Sequence, residues 1–251
     1  MADFEISLAQ WSLHRAFGAG DLDNLDFAKM ARHFDINAIE YVNQFFHDKS
    51  LDENYIAQMK QRADDMGVQT LLIMCDGDGN LGDPSATQRE IAVQKHRQWL
   101  RAAKQLGCHS IRVNLAGEKK DAQVWMNQSV EGLTGLSEFS KSMGISIIVE
   151  NHGGNSSIAN ELASVIKNVN LANCGTLPDF GNFCVKRENG SIYSGPCKIE
   201  YDKYEGMIEL MPYAKAVSAK SYDFDQNGNE TTINYEDMMS IVKKFNYHGY
   251  L

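Results

Sequence analysis

A charge at the end of an apolar strand is poorly explained by packing, and Glu150 sits there, directly after Ile145-Ser146-Ile147-Ile148-Val149. It leads into Asn151-His152-Gly153-Gly154, a turn whose glycines would let a ligand approach the backbone. A carboxylate in that place can bind a divalent cation or take a proton from carbon. The competing reading is a salt bridge to a nearby Arg or Lys. Asp179, in Pro178-Asp179-Phe180-Gly181-Asn182, offers a second metal carboxylate or an Asx cap on the next turn. Lys220 stands two residues after Ser218 at the end of another strand-like run. An inward lysine is costly to bury unless it meets a carboxylate, a substrate oxygen or a carbonyl carbon.

Residues two apart on a strand share a face, so the last inward positions of the other strand-like runs belong to the same inventory. They supply Gln10, with Trp11 and His14 just beyond it, Glu40, Cys75-Asp76, and Arg112 with Asn114. Glu150, Lys220 and His152 are the catalytic candidates; Glu150 and Asp179, with Ser218 as a weaker third ligand, are the metal candidates. Gln10, Trp11, His14, Glu40, Arg112, Asn114, Asn151 and Asn182 are the substrate-binding candidates. An indole stacks on the C–H face of a sugar, and histidines titrate near neutrality. Arg112 would clamp a substrate carboxylate or hydroxyls, or else partly neutralise Glu40 and Glu150.

Two motifs are set aside. Asp223-Phe224-Asp225-Gln226-Asn227-Gly228 begins like an EF-hand loop, but its twelfth position is Asn234 rather than Glu, so a surface turn is expected. Asp76-Gly77-Asp78-Gly79-Asn80 reads as a flexible strand-to-helix loop, a lid over the site, and no phosphate-cradling glycine fingerprint follows any strand.

The elements that must position these residues follow one repeated punctuation: an amphipathic stretch, a helix-ending Gly, then a β-rich run. It recurs at Met66-Gly67-Val68, Leu106-Gly107-Cys108 and Met143-Gly144-Ile145, followed by runs 69–75, 109–115 and 145–150. Runs near 4–10, 37–42, 174–179 and 214–220 bring the strands to seven. Asp21 or Asp23, Asp52 and Ser85 are the expected helix caps. The alternation predicts an α/β fold, a (β/α)₈ TIM barrel in a single domain over 1–251 with its site at the C-terminal strand ends. After 235–245 the chain reads Tyr247-His248-Gly249-Tyr250-Leu251, so the eighth strand is either a closing stub or the start of a longer C-terminal piece.

Composition agrees with a large packed core: 43% hydrophobic and 23% charged. A net charge of −9 argues against holding nucleic acid by phosphate neutralisation, and Lys119-Lys120 and Lys243-Lys244 read as solvated helix surface. The five cysteines include no Cys-x-x-Cys pair, so reduced thiols are expected rather than a disulfide framework or thiolate zinc site. No apolar run reaches the roughly 18 residues of a membrane span. The cytoplasm is the expected compartment, although a removed export signal would leave the same pattern. A homo-oligomer is compatible with the sequence.

Leu8-Ala9-Gln10-Trp11-Ser12, Ile39-Glu40-Tyr41-Val42, Ile111-Arg112-Val113-Asn114, Val149-Glu150-Asn151-His152 and Asp179-Phe180-Gly181-Asn182 together resemble the xylose-isomerase-like TIM-barrel family of sugar isomerases and epimerases. The resemblance runs in order through essentially the whole chain. It implies a divalent metal (Mn²⁺, Mg²⁺, Co²⁺ or Zn²⁺) held by Glu, Asp, His and Glu at late strand ends, with proton transfer through an enediolate. Glu150 falls on the first metal Glu and Asp179 on the metal Asp. Ser218-Ala219-Lys220 stands where the family usually has its metal His, Asn182 replaces a frequent His, and the final Glu would lie beyond Leu251. The expected function is therefore a metal-dependent sugar isomerase or epimerase acting on a small sugar or polyol. Its alternatives are a keto-sugar or keto-inositol dehydratase, a Schiff-base enzyme using Lys220, and a sugar-binding barrel without catalysis.

Overall fold

The computed structural model describes residues 4–115 and 121–251. Six strands, β1 (Leu8–Ala9), β2 (Ala38–Val42), β3 (Gln69–Met74), β4 (Ser110–Val113), β5 (Ser146–Glu150) and β6 (Cys174–Leu177), pair in sequence order in one parallel sheet. The α/β TIM-barrel architecture is as expected. The intervening helices are α1 (His14–Ala19), α2 (Phe27–His33), α3 (Glu53–Asp65), α4 (Ala86–Leu106), α5 (Ala122–Lys141), α6 (Ala159–Val169), α7 (Lys203–Leu210) and α8 (Tyr235–Lys244). Asp23, Asp52 and Ser85 each accept a backbone N–H at a helical start, and Gly67, Gly107 and Gly144 take the positive φ that closes the preceding helix.

Strand alternation divides the core. Ile147 and Val149 pack outward with Trp99, Leu136 and Leu162 of the helices, whereas Ile148 joins Val42, Leu72, Met74, Leu177 and Ala216 in an inner cluster. The same period of two puts Glu40, Arg112 and Glu150 on the inner face, in phase with Val42 and Ile148. Arg112 is in register with both Met74 and Ile148, so the polar residues rise directly above an apolar floor.

The seventh expected strand, 214–220, is reduced to two parallel bridges, Thr176↔Ala214 and Asp179↔Ser218. Pro178, which lacks an N–H, interrupts the ladder there and only accepts, from the Ser218 amide. The eighth position is filled by Tyr250 and Leu251, which pair in parallel with Glu5 and bond Ser7.

An antiparallel hairpin, β7 (Cys184–Arg187) and β8 (Cys197–Glu200), follows β6 and was not expected. It corrects the expectation of reduced thiols throughout: Cys184 and Cys197 form a disulfide, their Cα atoms 5.8 Å apart, while Cys75, Cys108 and Cys174 remain free and buried. A spacing of thirteen residues carries no disulfide signature by itself; the hairpin register is what brings the two sulfurs together. The Asp76–Asn80 loop is also pinned rather than flexible. Buried Asp78 accepts from Asn43 Nδ2 at 2.9 Å and from Trp99 Nε1 at 2.6 Å. Asp225 forms the expected surface turn through the Asn227 and Asn229 amides, and Lys243-Lys244 is exposed at the end of α8. Lys119-Lys120 lies outside the described residues. Among the described residues no helix is long and apolar enough to cross a membrane.

Candidate active site

The C-terminal rim encloses a cavity of about 1140 Å³. Glu40, Arg112, Asn114, Glu150, His152, Asp179, Asn182, Ser218 and Lys220 line it together, with Trp11 and His14 at its mouth. Those two rings stack with centroids 4.8 Å apart. Gln10 and Asn151 are placed differently. Fully buried Gln10 donates to Asn24 Oδ1 and accepts from the Val42 amide, which ties the first turn to the end of β2. Asn151 donates to the Asp179 carbonyl at 3.0 Å and accepts from the Asp179 amide at 2.7 Å, so it locks the end of β5 to the metal-candidate aspartate.

Arg112 is the electrostatic centre. Its guanidinium reaches Asp76 Oδ1 at 2.6 Å, and its Nε lies 2.8 Å from Glu150 Oε2. The Glu150 contact is close but not aligned: both atoms are buried without a directed hydrogen bond. Burial alone would weaken the guanidinium's hold on its proton, but Asp76 and Glu150 outweigh it and raise the pKa. Burial pushes Asp76 up, yet the Arg112 charge and hydrogen bond hold it below the usual carboxylate range.

For Glu150 the balance reverses, since burial outweighs Arg112 and Lys220 and raises its pKa, with Asn182 Nδ2 donating to Oε1 at 3.1 Å. Asp179 Oδ1 accepts from the Gly181 and Asn182 amides and Oδ2 from the Ser218 hydroxyl at 2.8 Å. Burial, then the Glu150 charge, still lifts Asp179 to about 6. Burial and the Arg112 charge lower His152 to about 4. Lys220 Nζ lies over the Tyr222 ring, 5.7 Å from its centroid.

The metal expectation can be tested on this donor set. Two carboxylates that repel one another, with Glu150 Oε2 lacking a directed hydrogen bond and Ser218 Oγ on Asp179, form an all-oxygen set. Such a set suits Mg²⁺ or Mn²⁺ better than Zn²⁺ or Co²⁺. Among the described residues no three of His, Cys, Asp and Glu converge, so water and substrate oxygens would have to complete the coordination.

Burial lifts Glu40 to about 7, against the Ser7 hydroxyl that donates to it at 2.8 Å and with the Glu150 charge adding to the rise. A carboxyl with a raised folded pKa stabilises the fold below its unfolded value, and that contribution is lost as pH rises through the folded value. Glu40→Gln is therefore expected to match the parent near pH 4.5 and to exceed it by on the order of 3 kcal/mol above pH 7. Denaturation at both pH values checks this; equal stability at pH 8 would show that the carboxylate is not strained.

Asp76, Ser7, Tyr193 and Tyr222 also line the cavity and were not among the predicted site residues. Asp76 stands at a strand end in the sequence, but its residue type alone does not show its contacts with Arg112 and Asn114. Tyr193 comes from the hairpin, which left no strand-end signal, and its ring lies 5.0 Å from that of His152. The hairpin tip rests on Gly153, where an added Cβ would come within 2.7 Å of the Ile192 carbonyl at a φ of +89°. Gly153→Ala is expected to cost about 1–3 kcal/mol and to expose the amides of 190–195 to exchange. Unchanged melting and protection would mean that the tip does not bear on this turn.

Residues 27–251 match the xylose isomerase-like TIM barrel family. Solved structures that superpose on the chain include D-psicose 3-epimerase from Clostridium cellulolyticum H10, with TM-score 0.74 and 14% identity over 98% of this chain and 83% of that one. The probable 3-DHS dehydratase AsbF of Bacillus anthracis gives 0.70 and 15% over 99% and 92%. An AP endonuclease, family 2, from Brucella melitensis gives 0.69 and 14% over 98% and 91%. No curated protein matches the sequence. Likeness at such identities reports the fold and leaves the chemistry to the site. The match over 27–251 shows that the chain belongs to the xylose isomerase-like TIM-barrel family.

Proposed function

We propose that this protein is a sugar isomerase or epimerase that moves a proton on a hydroxy-ketone substrate through an enediolate. The observation that carries the reading is the pair of buried, mutually repelling carboxylates, Glu150 and Asp179, bracketed by Arg112 and Lys220 at the rim of the barrel. Glu150 takes the proton from the carbon next to the carbonyl, and the C–H electrons pass into the carbonyl to give the enediolate. Burial raises the Glu150 pKa, which makes it a stronger base than an ordinary carboxylate. Return by Glu150 to the adjacent carbon gives an isomer; an epimer needs a second acid to deliver a proton to the opposite face, a role for which Asp179, raised to about 6, is the candidate.

Lys220 and Arg112 offset the charge that develops on oxygen. Asn182 fixes the Glu150 carboxylate, His152 and Asn114 meet hydroxyls, and Trp11 with His14 walls the mouth. Glu150, Asp179 and Ser218 are the residues that would hold a divalent ion, which when bound would polarise adjacent substrate oxygens. The substrate is a small sugar or polyol; a net charge of −9 disfavours a nucleic acid. The Cys184–Cys197 bridge favours an oxidising compartment over the cytoplasm expected from the sequence.

The test is incubation of the protein with a panel of ketoses and aldoses in D₂O with Mg²⁺ or Mn²⁺, followed by NMR. Deuterium entering the carbon beside the carbonyl, with a new epimer or isomer, supports the proposal. A vinylic product with loss of water would move the reading to elimination, and no exchange with any sugar would sink it.

A further inference from the structure

The hydrogen bonds between β3, β4 and β5 fix the protons of His152 more tightly than a single contact could. Arg112 at 2.6 Å keeps Asp76 ionised, so its carboxylate can only accept. Asp76 Oδ1 lies 2.6 Å from the Asn114 side-chain amide, so the NH₂ must face it, and the Asn114 oxygen must point the other way. That oxygen is 3.1 Å from His152 Nδ1 and, being a carbonyl, can only accept; the ring proton is therefore on Nδ1. Nε2, on the opposite edge of a ring that lines the cavity, has no partner among the described residues. Tyr193, 5.0 Å away, limits the ring's freedom to turn over.

We infer that Asp76 is a positioning residue which, through Asn114, locks His152 as the Nδ1–H tautomer and leaves Nε2 as a bare acceptor toward the ligand. The subsite beside His152 consequently takes a hydrogen-bond donor. It selects a hydroxyl and rejects a carbonyl, ether or carboxylate oxygen at the same position. Sugar binding rests on the function proposed above; the tautomer does not. For a sugar that binds, replacing the hydroxyl at this position by its O-methyl ether is expected to weaken binding roughly 10- to 100-fold.

The experiment is long-range proton–nitrogen NMR of the full chain labelled with ¹⁵N-histidine, at pH 8, where an imidazole of ordinary pKa is neutral. The His152 signals are identified by their loss in His152→Gln. The expected spectrum shows a protonated Nδ1 and a bare Nε2, and Asp76→Ala, which removes the acceptor that dictates the Asn114 orientation, shifts population toward Nε2–H. An Nε2–H tautomer in the unaltered protein overturns the inference, and so does an unchanged tautomer in a folded Asp76→Ala. If that variant does not fold, the parent spectrum decides alone. Because no substrate or turnover is involved, an inactive protein with the Nδ1–H form sinks the proposed enzyme but not this inference. An active one with Nε2–H does the opposite.

Discussion

Glu150→Gln is expected to lower turnover by about 10²–10⁴-fold, the usual scale for removing a positioned proton-transfer group, while the barrel stays folded. The substitution keeps the side chain's shape and the acceptor that Asn182 Nδ2 uses, and Arg112 keeps its shorter contact with Asp76. It removes the basic oxygen and, with it, the charge that adds to the burial-driven rise of Asp179. The measurement is deuterium uptake by whichever sugar the parent exchanges, with thermal melting as the folding control. Full exchange in a folded variant would remove Glu150 from the chemistry and leave its charge as a structural partner of Arg112.

The largest stability effect belongs to Arg112→Met. The guanidinium is 4% exposed and meets two carboxylates, so its removal leaves half-buried Asp76 without its cation and buried Glu150 with Lys220 alone. Breaking a buried pair from one side typically costs about 3–5 kcal/mol. The sign with pH is diagnostic. Without Arg112 the Asp76 carboxyl rises above its unfolded pKa and the already raised Glu150 climbs further, so the deficit is present at pH 8 and shrinks as pH falls toward 4. Denaturant melts of parent and variant at the two pH values measure it; a deficit that does not change with pH would show lost packing, not stranded charge, as the cause.

How far the sequence carried the structure can be seen residue by residue. Glu40, Arg112 and Glu150 were legible because strand alternation is local: once Ile147 and Val149 face the helices, the even positions must face inward. The helix-closing glycines were legible for the same reason. Gln10 and Asn151 were placed at the rim by the same count, but what they touch depends on loops that meet only in three dimensions, and both spend their amides on backbone there. The hairpin was hidden because its strands are short and β8 is exposed throughout, so no alternation marks it. Its disulfide was hidden with it, since cysteine spacing says nothing about register. Asp76 was visible as a type but not as a partner, because its significance lies in two residues of the neighbouring strand.

The hairpin's covalent closure has a thermodynamic side. A loop that must order itself around a ligand charges its lost freedom against every binding event. Here the Cys184–Cys197 bond fastens the base of the segment that brings Ile192 and Tyr193 to the site, and Arg187 holds the Ile192 and Gly195 carbonyls from within. Most of that freedom is surrendered when the protein folds and oxidises, before any ligand arrives. The wall beside His152 is thus ordered in the resting protein, and any ligand that binds on this side of the cavity would have little of the hairpin's freedom left to remove.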